Sequence, residues 1–164
     1  MPLDSLEKLF VDELRDVYYA EKQLVKALGK LAKRASDERL SDAFDEHRKE
    51  TEEHVTRLER VFDTLELKPR GKTCHGINGI IEEGKELMEE DGEDAVIDAG
   101  LIAGAQRAEH YEIAAYGTLR HYAERLGYTD AERLLASTLE EEKAADQKLN
   151  EIAKNLVNPE ARPR

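Results

Sequence analysis

Carboxylates stand inside the apolar stripes of this chain's helices. In GAQRAEHYEIAAYGTLRHYAERLG, residues 104–127, the residues Ala105, Tyr116, Leu119, Ala123 and Leu126 recur every three or four positions, the spacing of one helix face. Ile102 extends that stripe, and Glu109 and Glu112 fall on it. Burying one unpaired charge is costly even after relaxation. A whole domain is stable by only ~5–15 kcal/mol. A core that receives several carboxylates must therefore neutralise them.

Three other segments repeat the pattern. The first runs from about Leu3 to Arg34, with a stripe of Phe10, Leu14, Val17, Glu21, Leu24 and Leu28. Ser36 reads as the N-cap of the next, which runs from about Asp37 to Leu67. Its stripe is Leu40, Phe44, His47, Thr51, His54 and Leu58, with Glu50 at the edge. Pro69 and Gly71 end it. Residues 68–93 form a connection with its own short helix, INGIIEEGKELMEE. The third long helix spans about Glu93 to Leu126, closed by Gly127, and TDAE (Thr129 to Glu132) reads as a capping box. The fourth runs to about Leu156, with a stripe of Ala131, Leu135, Thr138, Glu142, Leu149 and Ile152.

The two short connections predict antiparallel hairpins. The long one between them lets the third helix start parallel to the second. The expected architecture is all-α, a ferritin-like four-helix bundle with one long crossover. It forms one domain over residues 1–158, and residues 159–164 are a loose tail.

Height along the bundle groups the acids. Counted from Ser36, Glu21 and Glu50 both lie ~22 Å from the first turn at ~1.5 Å per residue. Counted from Tyr128, Glu112 and Glu142 also match each other, with Glu109 and Asp146 one turn further along. His54 follows Glu50 by four residues and Asp146 follows Glu142 by four, so each pair shares a face. Lys22, Arg107 and Lys143 point roughly 100–160° away from the neighbouring acids on a helical wheel. The acids must share protons, open to water, or bind cations. The most economical of these is a pair of cations held by Glu21, Glu50, His54, Glu109, Glu112, Glu142 and Asp146. His47, about a turn away, is the other candidate imidazole. Carboxylates from several helices with histidine suit two iron ions, with manganese or zinc also compatible.

Composition removes other functions. The formal charge of −12 argues against nucleic acid and anionic membranes as partners. No stretch approaches the roughly 18 apolar residues of a membrane span, and no signal peptide is evident at the N-terminus. The single cysteine, Cys74, excludes an internal disulfide, zinc fingers and iron–sulfur clusters, and fits a reducing cytoplasm. Cys74 and His75 read as a loop pair without function.

From LFVDELRDVYYAEKQLVKAL through AEHYEIAAYGTL to LEEEKAADQKL, the chain resembles the YciE/YciF family of ferritin-like bacterial stress proteins. More distantly, its site is similar to that of rubrerythrins. That similarity makes Glu21 the first-helix ligand and Glu50 and His54 those of the second. It makes Glu109 and Glu112 the third-helix pair and Glu142 the fourth-helix ligand, with Asp146 in place of a histidine. The usual second-helix histidine follows its glutamate by three residues, where this chain has Glu53. No cysteine-rich electron-transfer module is present, so the resemblance implies an external electron-donor protein. It further implies a cytoplasmic, stress-induced homodimer. The expected activity is reaction of the metal pair with peroxide or oxygen, or iron sequestration. The alternative is a metal-free helical module acting through protein contacts.

Overall fold

The computed structural model describes residues 2–161. Four long helices, α1 (Leu6–Arg34), α2 (Glu38–Thr64), α4 (Asp94–Leu126) and α5 (Thr129–Ile152), form the bundle, and α3 (His75–Glu89) lies in the crossover. A π-helical turn, Ala153–Val157, and a short helical turn, Asn158–Glu160, follow α5. The first part of the expected tail is thus helical, and residues 162–164 lie outside the described residues. Among the described residues there is no strand, and no helix is long and apolar enough to cross a membrane.

Local chemistry sets the ends of the elements. Ser5 caps α1, its Oγ accepting from the Lys8 amide at 3.2 Å. Asp37, one residue after the expected Ser36, caps α2 through the Arg39 and Leu40 amides. Gly127 closes α4 with φ 75°, the left-handed conformation that glycine tolerates. The expected capping box at Thr129 does not form: Thr129 is already helical, and Glu132 instead accepts from Arg120 Nε at 2.9 Å. Cys74 caps α3, its Sγ accepting from the Ile77 amide at 3.3 Å. Its sulfur also lies 2.9 Å from the Tyr111 hydroxyl, so the cysteine is structural.

Asp98, near the start of α4, ties that start to the start of α2, so the two helices begin at the same end of the bundle and run parallel. Asp98 is buried, and its two carboxylate oxygens accept from the amides of Ser36 (2.9 Å) and Asp37 (2.8 Å). The Asp37 amide is one of the orphan donors at the start of α2, and the Ser36 amide immediately precedes it. Asp98→Ala is expected to destabilise the bundle by about 3 kcal/mol. Urea denaturation would show this as a lower midpoint with an unchanged slope.

Two apolar clusters occupy the two ends of the bundle. One contains Phe10, Leu14, Phe62, Tyr116, Leu119 and Leu135. The other contains Leu28, Leu40, Phe44, Leu101, Ile102 and Leu149. A third, smaller cluster around Leu24, Ile77 and Ala108 docks α3 against α1 and α4. Between the two end clusters lies a buried polar layer: Glu21, His47, Thr51, His54, Glu109, Glu112, Thr138 and Glu142.

Candidate metal centre

Each long helix delivers side chains to this layer because its apolar stripe continues above and below. The stripes bury the helix faces, and the acids travel inward with them. Glu21 and Glu142 are wholly buried, and Glu109 and Glu112 are 1% and 2% exposed.

The side chains converge in two overlapping groups. His47, Glu109, Glu112 and Glu142 make one, and Glu21, His54 and Glu142 make the other. In each group the ligand atoms lie within 4.8 Å of one another. Glu142 belongs to both. His47 Nε2 lies 2.7 Å from Glu109 Oε1 and 3.7 Å from Glu142 Oε2. His54 Nδ1 lies 2.9 Å from Glu142 Oε1 and 3.4 Å from Glu21 Oε1.

These contacts bring atoms close without satisfying them. Glu21 Oε2, Glu109 Oε2, Glu112 Oε1, both oxygens of Glu142 and His54 Nδ1 have no hydrogen-bond partner. Buried polar atoms are ordinarily paired, so a concentration of orphans in one layer calls for a missing partner. Among the described residues no lysine or arginine lies within ion-pair distance of Glu21, Glu109, Glu112 or Glu142; imidazoles reach Glu21, Glu109 and Glu142, and Glu112 has no cationic partner.

Without metal, protons perform the neutralisation. Burial, then the charges of Glu142, Glu21 and Glu109, push the Glu112 carboxyl well above its ordinary range. Burial outweighs the help of His54 and raises Glu142 to about 8. For Glu21 burial acts upward, but the hydrogen bond and charge of His54 outweigh it and hold the carboxyl low. Burial opposes charging of His54, yet Glu142 and Glu21 raise it to about 10. His47 is likewise raised well above its usual value against burial, by Glu109 and Glu50.

The outer contacts orient these groups. His54 Nε2 lies 2.9 Å from Glu141 Oε2, and Arg57 grips the same oxygen at 2.7 Å. Burial would raise Glu141, but Arg57 and His54 hold it below its ordinary value. As an ionised carboxylate Glu141 only accepts, so Nε2 keeps its proton, and once the metal-free imidazolium sheds the other one the Nδ1 lone pair faces inward. Such carboxylate–histidine pairs typify metal-ligating imidazoles. Tyr116 donates to Glu21 Oε1. Tyr18 points elsewhere, donating to Glu59 Oε1 at 2.8 Å. Arg57→Met is expected to weaken metal binding about 10–100-fold. Competition with a chelating dye would measure the loss.

Of the residues expected from sequence, the layer unites Glu21, His54, Glu109, Glu112 and Glu142. Glu50 and Asp146 lie outside both groups. The Glu50 side chain is about half exposed, its Oε2 3.4 Å from His47 Nδ1, on the outward edge of that ring. Asp146 turns toward α4, accepting from Gln106 Nε2 at 3.2 Å with His110 Nε2 at 3.3 Å. His47 takes an inner position instead. The reason is helix direction. The two turns from which heights were counted stand at opposite ends of the bundle, so one turn further from Tyr128 is one turn nearer Ser36. His47 lies as many residues beyond Ser36 as Glu109 lies beyond Asp98, eleven in each case. The stripe carried this signal, since His47 was on it and Glu50 only at its edge.

Residues 5–162 match the family described as a domain of unknown function, DUF892. Protein YciF of Escherichia coli strain K12 is 48% identical over 162 residues, 98% of each chain. The crystal structure of the E. coli stress protein YciF superposes with a TM-score of 0.92, covering 95% of this chain and 99% of that one. YcfI of Rhodopseudomonas palustris, proposed to be a structural protein, is 45% identical with a TM-score of 0.88, covering 92% and 97%. A protein from Xanthomonas campestris pv. campestris, 19% identical with a TM-score of 0.73 over 94% of each chain, shares the fold. The all-α crossover bundle and the near-complete match to YciF agree, and the chain belongs to the DUF892 family, the ferritin-like family of the stress protein YciF.

Proposed function

We propose that the protein is a di-metal carboxylate protein of the stress response, built for a pair of iron or manganese ions that meet peroxide or oxygen. The observation that carries this reading is Glu142, shared by both groups with both oxygens unpartnered. The donor set fits: four carboxylates carry four negative charges, which two divalent ions balance while both imidazoles stay neutral. Oxygen-rich sites with imidazole suit iron and manganese.

His47, Glu109 and Glu112 would hold one ion, Glu21 and His54 the other, with Glu142 between them. A bound redox pair supplies electrons to an oxidant. The protein's own part is to orient and exclude. Tyr116 holds Glu21 by one oxygen and leaves the other free. Glu141 and Arg57 lock His54. The apolar clusters above and below keep bulk water from the layer. With Cys74 the sole cysteine, sustained turnover draws on a separate electron-donor protein. The same reading takes the protein as a cytoplasmic homodimer.

Chelator-treated protein, loaded anaerobically with Fe(II), should retain two ions per chain by elemental analysis. Stopped-flow mixing with oxygen or hydrogen peroxide should then raise near-ultraviolet absorbance within seconds. Two retained ions without an oxidant-dependent change would reduce the reading to iron sequestration. No retained ion would leave the structural role suggested for the R. palustris relative.

A further inference from the structure

The crossover helix does not close onto the bundle along its whole length. Between α1, α3 and α4 lies a cavity of about 180 Å³. Its walls are apolar, including Leu24, Leu28, Ile81, Met88 and Ala105, and its floor is His47, Glu109 and Glu112. Gly84 on α3 and Gly104 on α4 line it, and a Cβ added to either would meet nothing within 4 Å. At Gly100, one turn from Gly104, a Cβ would come within 2.6 Å of Leu87. The helices therefore touch at Gly100 and part beside it. Native interiors leave few voids larger than a water. An engineered apolar cavity of ~150 Å³ stays dry and takes up benzene.

The rim has its own chemistry. Lys26 and Lys30, one turn apart on α1, border the cavity with exposed side chains, as does Lys85 on α3. Lys85 has Glu82 at 3.6 Å. Lys26 and Lys30 have no carboxylate within ion-pair distance among the described residues, in a chain whose net charge is −12. Long lysine stems can cover an apolar wall while their ammonium groups stay in water. At the opposite end, Glu109 Oε2 and Glu112 Oε1 are buried without partners.

We propose that this cavity binds a small carboxylic acid with an aliphatic body of about six to eight carbons, comparable in bulk to the benzene that a slightly smaller cavity accepts. Its carboxylate sits at Lys26 and Lys30, and its hydrocarbon end reaches toward His47, Glu109 and Glu112. The rim sets this polarity, because Lys26 and Lys30 are cations without a carboxylate partner among the described residues, whereas His47 at the floor is already paired with Glu109 at 2.7 Å. The proposal goes beyond the metal reading and does not need it: binding depends on the cavity and the lysines alone.

The test is titration of octanoate into chelator-treated protein, followed by ¹H–¹⁵N correlation spectra, and repeated after zinc loading. Saturable shifts are expected at Gly84, Gly104 and Ala105 in both states. Gly104→Leu fills the space from α4 and should weaken octanoate more than about tenfold through lost tail burial; Gly84→Leu does the same from α3. Lys26→Gln with Lys30→Gln should weaken octanoate about fivefold and leave octanol unchanged. Zinc stoichiometry should be the same in every variant. Octanoate binding that survives both leucine variants overturns the site. Octanoate no tighter than octanol overturns the anion at the rim. Binding seen only with zinc present overturns the orientation, since the carboxylate would then face the metal. Failure of octanoate to bind beside normal zinc uptake overturns this proposal alone, and failed zinc uptake beside normal octanoate binding overturns only the metal reading.

Discussion

Glu142→Gln is expected to remove both metal ions together while leaving the metal-free bundle intact. The residue is the common member of the two convergent groups, and the amide keeps its volume but offers no anionic bridge. At ion concentrations near 1,000 times Kd, each bound ion stabilises the native protein by ~4.1 kcal/mol. For a chain of this size that corresponds to roughly 8–16 °C in Tm per ion, and the variant should lose the increments of both. In chelator the order reverses. The native carboxyl sits protonated in the fold, raised to about 8 by burial. Glutamine retains that neutral form at every pH, so the metal-free variant should match the parent below about pH 4.5, gain on it as pH rises, and keep a constant lead above about pH 8. Calorimetric scans with and without Mn(II) read both effects. A variant that still gains the full metal increment would remove Glu142 from the bridging position.

The second large effect is the dependence of metal stabilisation on pH. Glu142 has a folded pKa above its ordinary value of 4.5, and His54 has one raised to about 10 from 6.5. In both cases the native state binds the extra proton. The stability each contributes is fully present below the ordinary value and is lost as pH rises through the folded one. The metal-free bundle should therefore weaken between about pH 4.5 and 10. Metal acts in the opposite sense, because its ligands must shed those protons. The Tm increment produced by Mn(II) should grow steadily from pH 6 to 9, and binding should acidify a weakly buffered solution. A flat increment, with no proton release, would place the ions elsewhere on the surface.

The bundle was legible because its helices announce themselves by period, caps and lengths of connection. Gly127 did what a C-terminal glycine should, and the long crossover led to parallel α2 and α4 as expected. The misread details lie where a tertiary partner outcompeted a local one. The cap of α2 falls to Asp37 rather than Ser36, while Asp98 from α4 takes the amides of both residues. Glu132 turned to Arg120 rather than to Thr129. In the site, Glu21, Glu109, Glu112 and Glu142 were visible as acids within apolar stripes. Between Glu50 and His47, the motif-like spacing of Glu50 to His54 favoured Glu50, whereas the structure turns His47 inward and leaves Glu50 half exposed at its edge. Periodicity alone ranked them correctly, since His47 stands on the stripe and Glu50 beside it. The outer carboxylate Glu141 had no sequence signal, because its role depends on Arg57 from another helix.

The separation of the apolar interior into two end clusters has a consequence for how ions enter and leave. Either end is a hydrophobic unit in its own right, joined to the other by a belt of titratable groups. A zinc finger collapses when stripped, because the ion is its interior. Here the ends persist on their own burial, and the belt can loosen locally while both hold. On the proposed metal reading, exchange of the ions would proceed by a sub-global opening around mid-height, faster than the whole chain unravels. A stressed cell could thus refill or empty the protein without having to refold it.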